Sequence, residues 1–141
     1  MSDSATPWLK KFARQILAFE AASHNPADAS DSGVFRAFGK LRGPLGKLIG
    51  IVGFRSLLSR ALALGGEEVP WLHALQIKAD GSMERLEAKL DSREAAEGEV
   101  VLMALLVGLL VTFIGLQLTL QLLRDIWPKI DDRNLEKAET S

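Results

Sequence analysis

Apolar positions recur with helical period at the start of the chain. Trp8, Leu9, Phe12, Ile16 and Phe19 share one side of a helix, with Lys10, Lys11 and Arg14 between them. The spacing predicts an amphipathic helix running to about Ala22. Thr6 suits an N-cap, and Pro7 suits the first helical position, where no backbone N–H is needed. Residues 23–33, SHNPADASDSG, have the composition of a loop or linker.

A second apolar pattern begins at Val34. Pro44 should break or restart a helix, because it lacks the N–H and clashes with the preceding turn. From Leu45 to Leu64 the pattern is amphipathic and basic, and Gly65-Gly66 is expected to end it as a C-cap. Residues 70–82 are ambiguous. Pro70 can start a short helix, whereas Ala74 to Lys78 alternates like a strand before the turn residues ADGS. The helical alternative is favoured here. Ser82 can cap the next helix, on which Met83, Leu86 and Leu90 share a face. One helix from about Ser82 to Trp127 is predicted, ended by Pro128.

Residues 100–123, VVLMALLVGLLVTFIGLQLTLQLL, contain no charge. As a helix, 24 residues extend about 36 Å, enough for a hydrocarbon core of about 30 Å. A helix apolar on every side belongs either in a bilayer or in the middle of a large core. The rest of this chain is short and polar, so a transmembrane span is expected. The predicted fold is all-α: a small helical module followed by a long helix forming a single C-terminal span. The segments are 1–33, amphipathic helix and linker; 34–98, a basic then acidic helical module; 99–127, the span; and 128–141, a disordered polar tail. The N-terminus has no basic n-region or apolar h-region. The expected topology is therefore single-pass with a cytoplasmic N-terminus. Basic residues flank the run on both sides, so they do not decide its orientation.

The net charge of −1 conceals two opposed blocks. Residues 34–65 carry Arg36, Lys40, Arg42, Lys47, Arg55 and Arg60 with no acid, and residues 66–99 carry nine acids against four bases. The six bases are candidates for the surface of an anionic leaflet, where each is worth about 1 kcal/mol. They could equally face the acidic 84–99 helix. Phosphate binding to nucleic acid is the weakest option, because no motif or aromatic interleaving accompanies the charge. Gly39, Gly43, Gly46, Gly50 and Gly53 run through this block at spacings of four and three.

Within the run, Ala104, Gly108, Thr112, Gly115 and Thr119 fall within about 80° of one another on a straight helix. Such a small-residue stripe is a candidate association face. Gln117 and Gln121 lie opposite as polar intramembrane residues, and Trp127 stands where an interfacial anchor would.

Catalytic signals are missing. The chain has no Cys, and its two histidines, His24 and His73, have no partner at metal-ligand spacing. GPLGKLIG lacks the Gly and the Ser or Thr of a phosphate loop. No catalysis, cofactor or metal is expected. The expected function is a non-enzymatic membrane anchor or interaction subunit on anionic lipid, as a homo-oligomer or in a membrane complex, without nucleic acid. A membrane-perturbing or pore-forming subunit, and an accessory that recruits a soluble enzyme, are the alternatives.

Overall fold

A computed structural model describes residues 7–23, 33–79, 81, 83–85 and 92–130. These residues are mostly helical: α1 (Pro7–Ser23), α2 (Gly33–Glu68), a 3₁₀ helix (Pro70–Ala74), strands β1 (Leu75–Ile77) and β2 (Met83–Arg85), α3 (Ser92–Ile114) and α4 (Leu116–Ile126). Thr6, Ser82, Leu86, Leu90 and the tail beyond Ile130 lie outside the described residues.

Helix α1 follows its sequence pattern. Leu9, Phe12, Ala13 and Ile16 are buried, and Lys11 and Arg14 are exposed. One turn further along the buried face comes Glu20, a charged residue with 1% exposure.

Helix α2 departs from expectation in two places. Pro44 sits inside it without breaking it, and the break comes six residues later at Gly50, where φ is 81° and ψ is 159°. Those angles are open essentially only to glycine. The break folds α2 into a V. The Val34 N–H donates to Glu99 Oε1 at 3.3 Å, while a Cβ built on Gly65 would lie 3.4 Å from Leu105 and 3.7 Å from Val101. A straight helix would hold Val34 and Gly65 about 46 Å apart, yet both meet a stretch of α3 only about 9 Å long. The second departure is Gly65-Gly66, which does not cap the helix; α2 continues to Glu68. These glycines serve close approach instead. A Cβ on Gly65 would lie 2.7 Å from Leu72, and one on Gly66 would lie 2.5 Å from His73 Nε2.

The helix expected over 70–82 and the start expected at Ser82 are both replaced. A single 3₁₀ turn leads into β1, which pairs antiparallel with β2 in the register Leu75↔Arg85, Gln76↔Glu84, Ile77↔Met83. Gly81, with φ 87° and its N–H on the Lys78 carbonyl at 2.9 Å, turns the hairpin. The alternation of Ala74 to Lys78 is thus a strand signal, and the fold is helical with one small hairpin.

Helix α3 is the centre of the molecule. Seven consecutive residues, Val101 to Val107, are buried, so every side of the helix is covered over two turns. Helices α1, α2 and the 3₁₀ helix supply the cover. Gly98 admits Trp71, whose ring would lie 2.6 Å from a Cβ there and whose Nε1–H donates to the Glu94 carbonyl at 3.0 Å. Leu110 is still fully buried, and the helix becomes exposed at Thr112 and Phe113.

The predicted continuous helix ends at Ile114. Gly115, with φ 89° and ψ 158°, separates α3 from α4. Helix α4 is amphipathic, not apolar throughout: Thr119, Leu120 and Leu123 are buried, and Gln117, Gln121, Arg124 and Asp125 are exposed. The single span expected over 99–127 is therefore not one helix. Two helices, within Val34–Glu68 and Arg93–Ile114, are long and apolar enough to cross a membrane.

Candidate membrane interface

The two glycine breaks have nearly the same backbone angles, and each carries exposed apolar side chains. Leu48, Ile51 and Val52 surround Gly50 at 48%, 39% and 71% exposure; Phe113 and Leu118 flank Gly115 at 65% and 37%. Lys47 is exposed beside Leu48. Elsewhere the large apolar residues of α2 and α3 are buried or half-buried. Exposed apolar side chains are thus grouped at the two breaks of a helical body with an ordinary core.

The backbone at the second turn limits where it can sit. The Gly115 N–H donates to the Val111 carbonyl at 3.0 Å, and the Gly115 carbonyl accepts from the Thr119 N–H at 3.1 Å. Between these bonds, the first N–H groups of α4 and the last carbonyls of α3 have no partners within their own helices. The threonines near the break satisfy themselves: Thr112 Oγ1 donates to the Gly108 carbonyl at 3.1 Å and Thr119 Oγ1 to the Gly115 carbonyl at 2.7 Å.

One cluster of charge is centred on Glu20. Its Oε2 lies 2.6 Å from Lys40 Nζ and accepts the Trp127 indole N–H at 2.8 Å; its Oε1 lies 3.7 Å from Arg36 Nε. One carboxylate of α1 thereby ties α2 to the residue that follows α4. A second ion pair, Lys10–Glu68 at 2.9 Å, joins α1 to the end of α2. It stands in an open cleft of about 480 Å³ that Arg14, Arg93, Glu97 and Val101 also line.

The structure scatters the candidate residues. Arg36 and Lys40 both reach Glu20 on α1, and Lys40 is also 46% exposed. Arg42 is half-buried, with its side chain 3.3 Å from where a Cβ on Gly81 would lie. Arg55 is half-buried, and Lys47 and Arg60 are exposed. In the small-residue stripe, Ala104 is buried and Gly108 meets Leu9 of α1, with 3.2 Å from a built Cβ to Leu9 Cδ1. Thr112 is exposed, Gly115 is the break, and Thr119 is buried on α4, so the five do not line one helix face. Gln117 and Gln121 are exposed. The indole of Trp127, expected at a membrane interface, is 4% exposed and bonded to Glu20. Its neighbours pull it inward: Ile130 is also buried and closes the turn through its N–H on the Trp127 carbonyl at 3.1 Å. His24 lies outside the described residues.

Glu20 itself escaped the sequence reading. The signal for it was present: an acid standing four residues after Ile16 on the apolar face of α1, where a buried charge demands a partner. Among the described residues no group of three His, Cys, Asp or Glu side chains could hold a metal ion. Compared with known protein families, with curated proteins and with solved structures, the chain finds no match.

Proposed function

We propose that this is a non-enzymatic membrane-associated protein that rests its two glycine turns on the cytoplasmic face of an anionic bilayer. The observation that carries the reading is the placement of exposed apolar residues: Leu48, Ile51, Val52, Phe113 and Leu118 gather at the turns of the two most apolar helices. Single exposed apolar residues are ordinary on soluble proteins, but grouped ones mark contact surfaces. Lys47 adds a cation beside the first turn, suited to anionic headgroups.

The turns lie at headgroup depth in this arrangement. Unpaired backbone groups cost several kcal/mol each in hydrocarbon, and at the interface water and headgroups satisfy them. The helical body, with its Glu20 cluster, stays on the aqueous side.

The chain has no cysteine, so single labels can be placed cleanly. An environment-sensitive fluorophore on Val52→Cys and on Phe113→Cys should blue-shift when anionic vesicles are added, while one on Glu97→Cys, exposed on α3 about 24 Å before Phe113, should not. Equal response at all three positions, or none at any, would overturn the reading.

A further inference from the structure

We propose that Gly115 is a hinge and that the Glu20–Trp127 contact is its latch: with the latch open, α3 and α4 fuse into one helix that crosses the bilayer. The proposal rests on the membrane-surface reading and extends it to a second, inserted state.

The conversion needs little. From Ser92 to Ile126 the helix is interrupted at Gly115 alone. Its N–H and carbonyl already make the bonds of a continuous helix, to Val111 and from Thr119. Returning this residue to helical angles would add the three missing bonds, from the N–H groups of Leu116, Gln117 and Leu118 to the carbonyls of Thr112, Phe113 and Ile114. No atom lies within 4 Å of a Cβ built on Gly115, so the bend is held by the packing of α4 and not by contacts at Gly115 itself.

The solvent decides which state is favoured. In water the six unpaired groups are hydrated, and the buried face of α4 gains by packing on the bundle. In hydrocarbon they have no partners, and only a complete helix satisfies them. The fused helix would carry the uncharged run 100–123, about 36 Å long. Gln117 and Gln121 would lie toward one end, beside Arg124 and Asp125.

The latch can open without stranding a charge. If Trp127 leaves, the Glu20 carboxylate keeps Lys40 at 2.6 Å and Arg36 at 3.7 Å. The other turn has no such second state. Gly50 has nearly the same angles, but straightening α2 would thread Lys47 and Arg55 into hydrocarbon, where charges are expensive.

The test is a distance. Spin labels at Glu97→Cys and Gln121→Cys, both exposed helical positions, would be about 36 Å apart in a fused helix and closer in the folded-back form. They are measured in buffer and on anionic vesicles, in the otherwise native chain and with Gly115→Ala or Trp127→Phe added. The expected result is a short distance in buffer and a population near 36 Å on vesicles, at least doubled by each added substitution. Trp127→Phe retains the native Gly115 and keeps the test decisive if Gly115→Ala does not fold. Protein that floats with vesicles yet keeps the short distance in all three chains overturns the hinge and leaves the surface reading standing. Protein that does not float at all overturns the surface reading, and the hinge with it.

Discussion

The Trp127 indole N–H reaches the carboxylate of Glu20 at 2.8 Å across 107 residues of chain. Glu20 is 1% exposed and Trp127 is 4% exposed, so neither can turn to water without moving a helix. The bond joins the first helix to the residue that closes the last. It also gives the cost of unfolding an identifiable location.

Trp127→Phe keeps most of the ring and removes the donor. A hydrogen bond to a charged group contributes about 1.5–3 kcal/mol, and a loss in that range is expected by chemical denaturation. Lys40→Met should cost about 1 kcal/mol or less, because Lys40 is 46% exposed and its ion pair is screened. If the lysine substitution proves the costlier, Glu20 is held chiefly by charge and the indole is incidental.

The regularly spaced glycines of α2 should respond with opposite signs. Gly39, Gly43 and Gly46 are helical, with nothing within 4 Å of a built Cβ, so replacement by Ala should stabilise by up to about 0.8–1.0 kcal/mol each. Gly50→Ala meets equally open space but must hold φ 81°, which should cost about 1–3 kcal/mol. Thermal unfolding of the four variants checks this, and a stabilising Gly50→Ala would mean that the bend is not required.

Gly98→Ala is expected to destabilise by about 1–3 kcal/mol, through overpacking against the Trp71 ring. The cost should shrink sharply in a Trp71→Ala background, where the ring is gone. A double-mutant cycle measures the coupling. Additive costs would show that Trp71 and Gly98 do not meet.

Charge placed on the apolar turns should separate binding from folding. Val52→Glu and Phe113→Glu alter side chains at 71% and 65% exposure, and each should leave stability within about 0.5 kcal/mol. Together they should remove most flotation with anionic vesicles. Leu106→Asp buries a charge in the wrapped part of α3 and should prevent folding altogether. A double turn variant that still floats fully would exclude the turns from the contact.

Several elements could be read directly from the chain. The period of Leu9, Phe12 and Ile16 identified α1 and its buried face, and the uncharged run identified the most apolar helix. Other elements could not. Gly50 stands in a row of equally spaced glycines, and local sequence does not say which one bends. Pro44 carried the stronger breaking signal but is accommodated within α2. The Gly65-Gly66 pair looks like a helix end, yet it is small because Leu72 and His73 press against it.

The sequence by itself determined which segments are apolar enough to form helices and which residues carry charge, because side-chain chemistry and period are local properties. Only the tertiary structure decided how those segments are used. The covering of Val101 to Val107, the two bends at Gly50 and Gly115, and the inward turn of Trp127 to Glu20 all depend on partners far away in the chain. Burial is settled between segments: a helix apolar on every side becomes a core element when α1 and α2 close around it. Beyond Leu110 that cover thins, and Thr112 and Phe113 are left exposed.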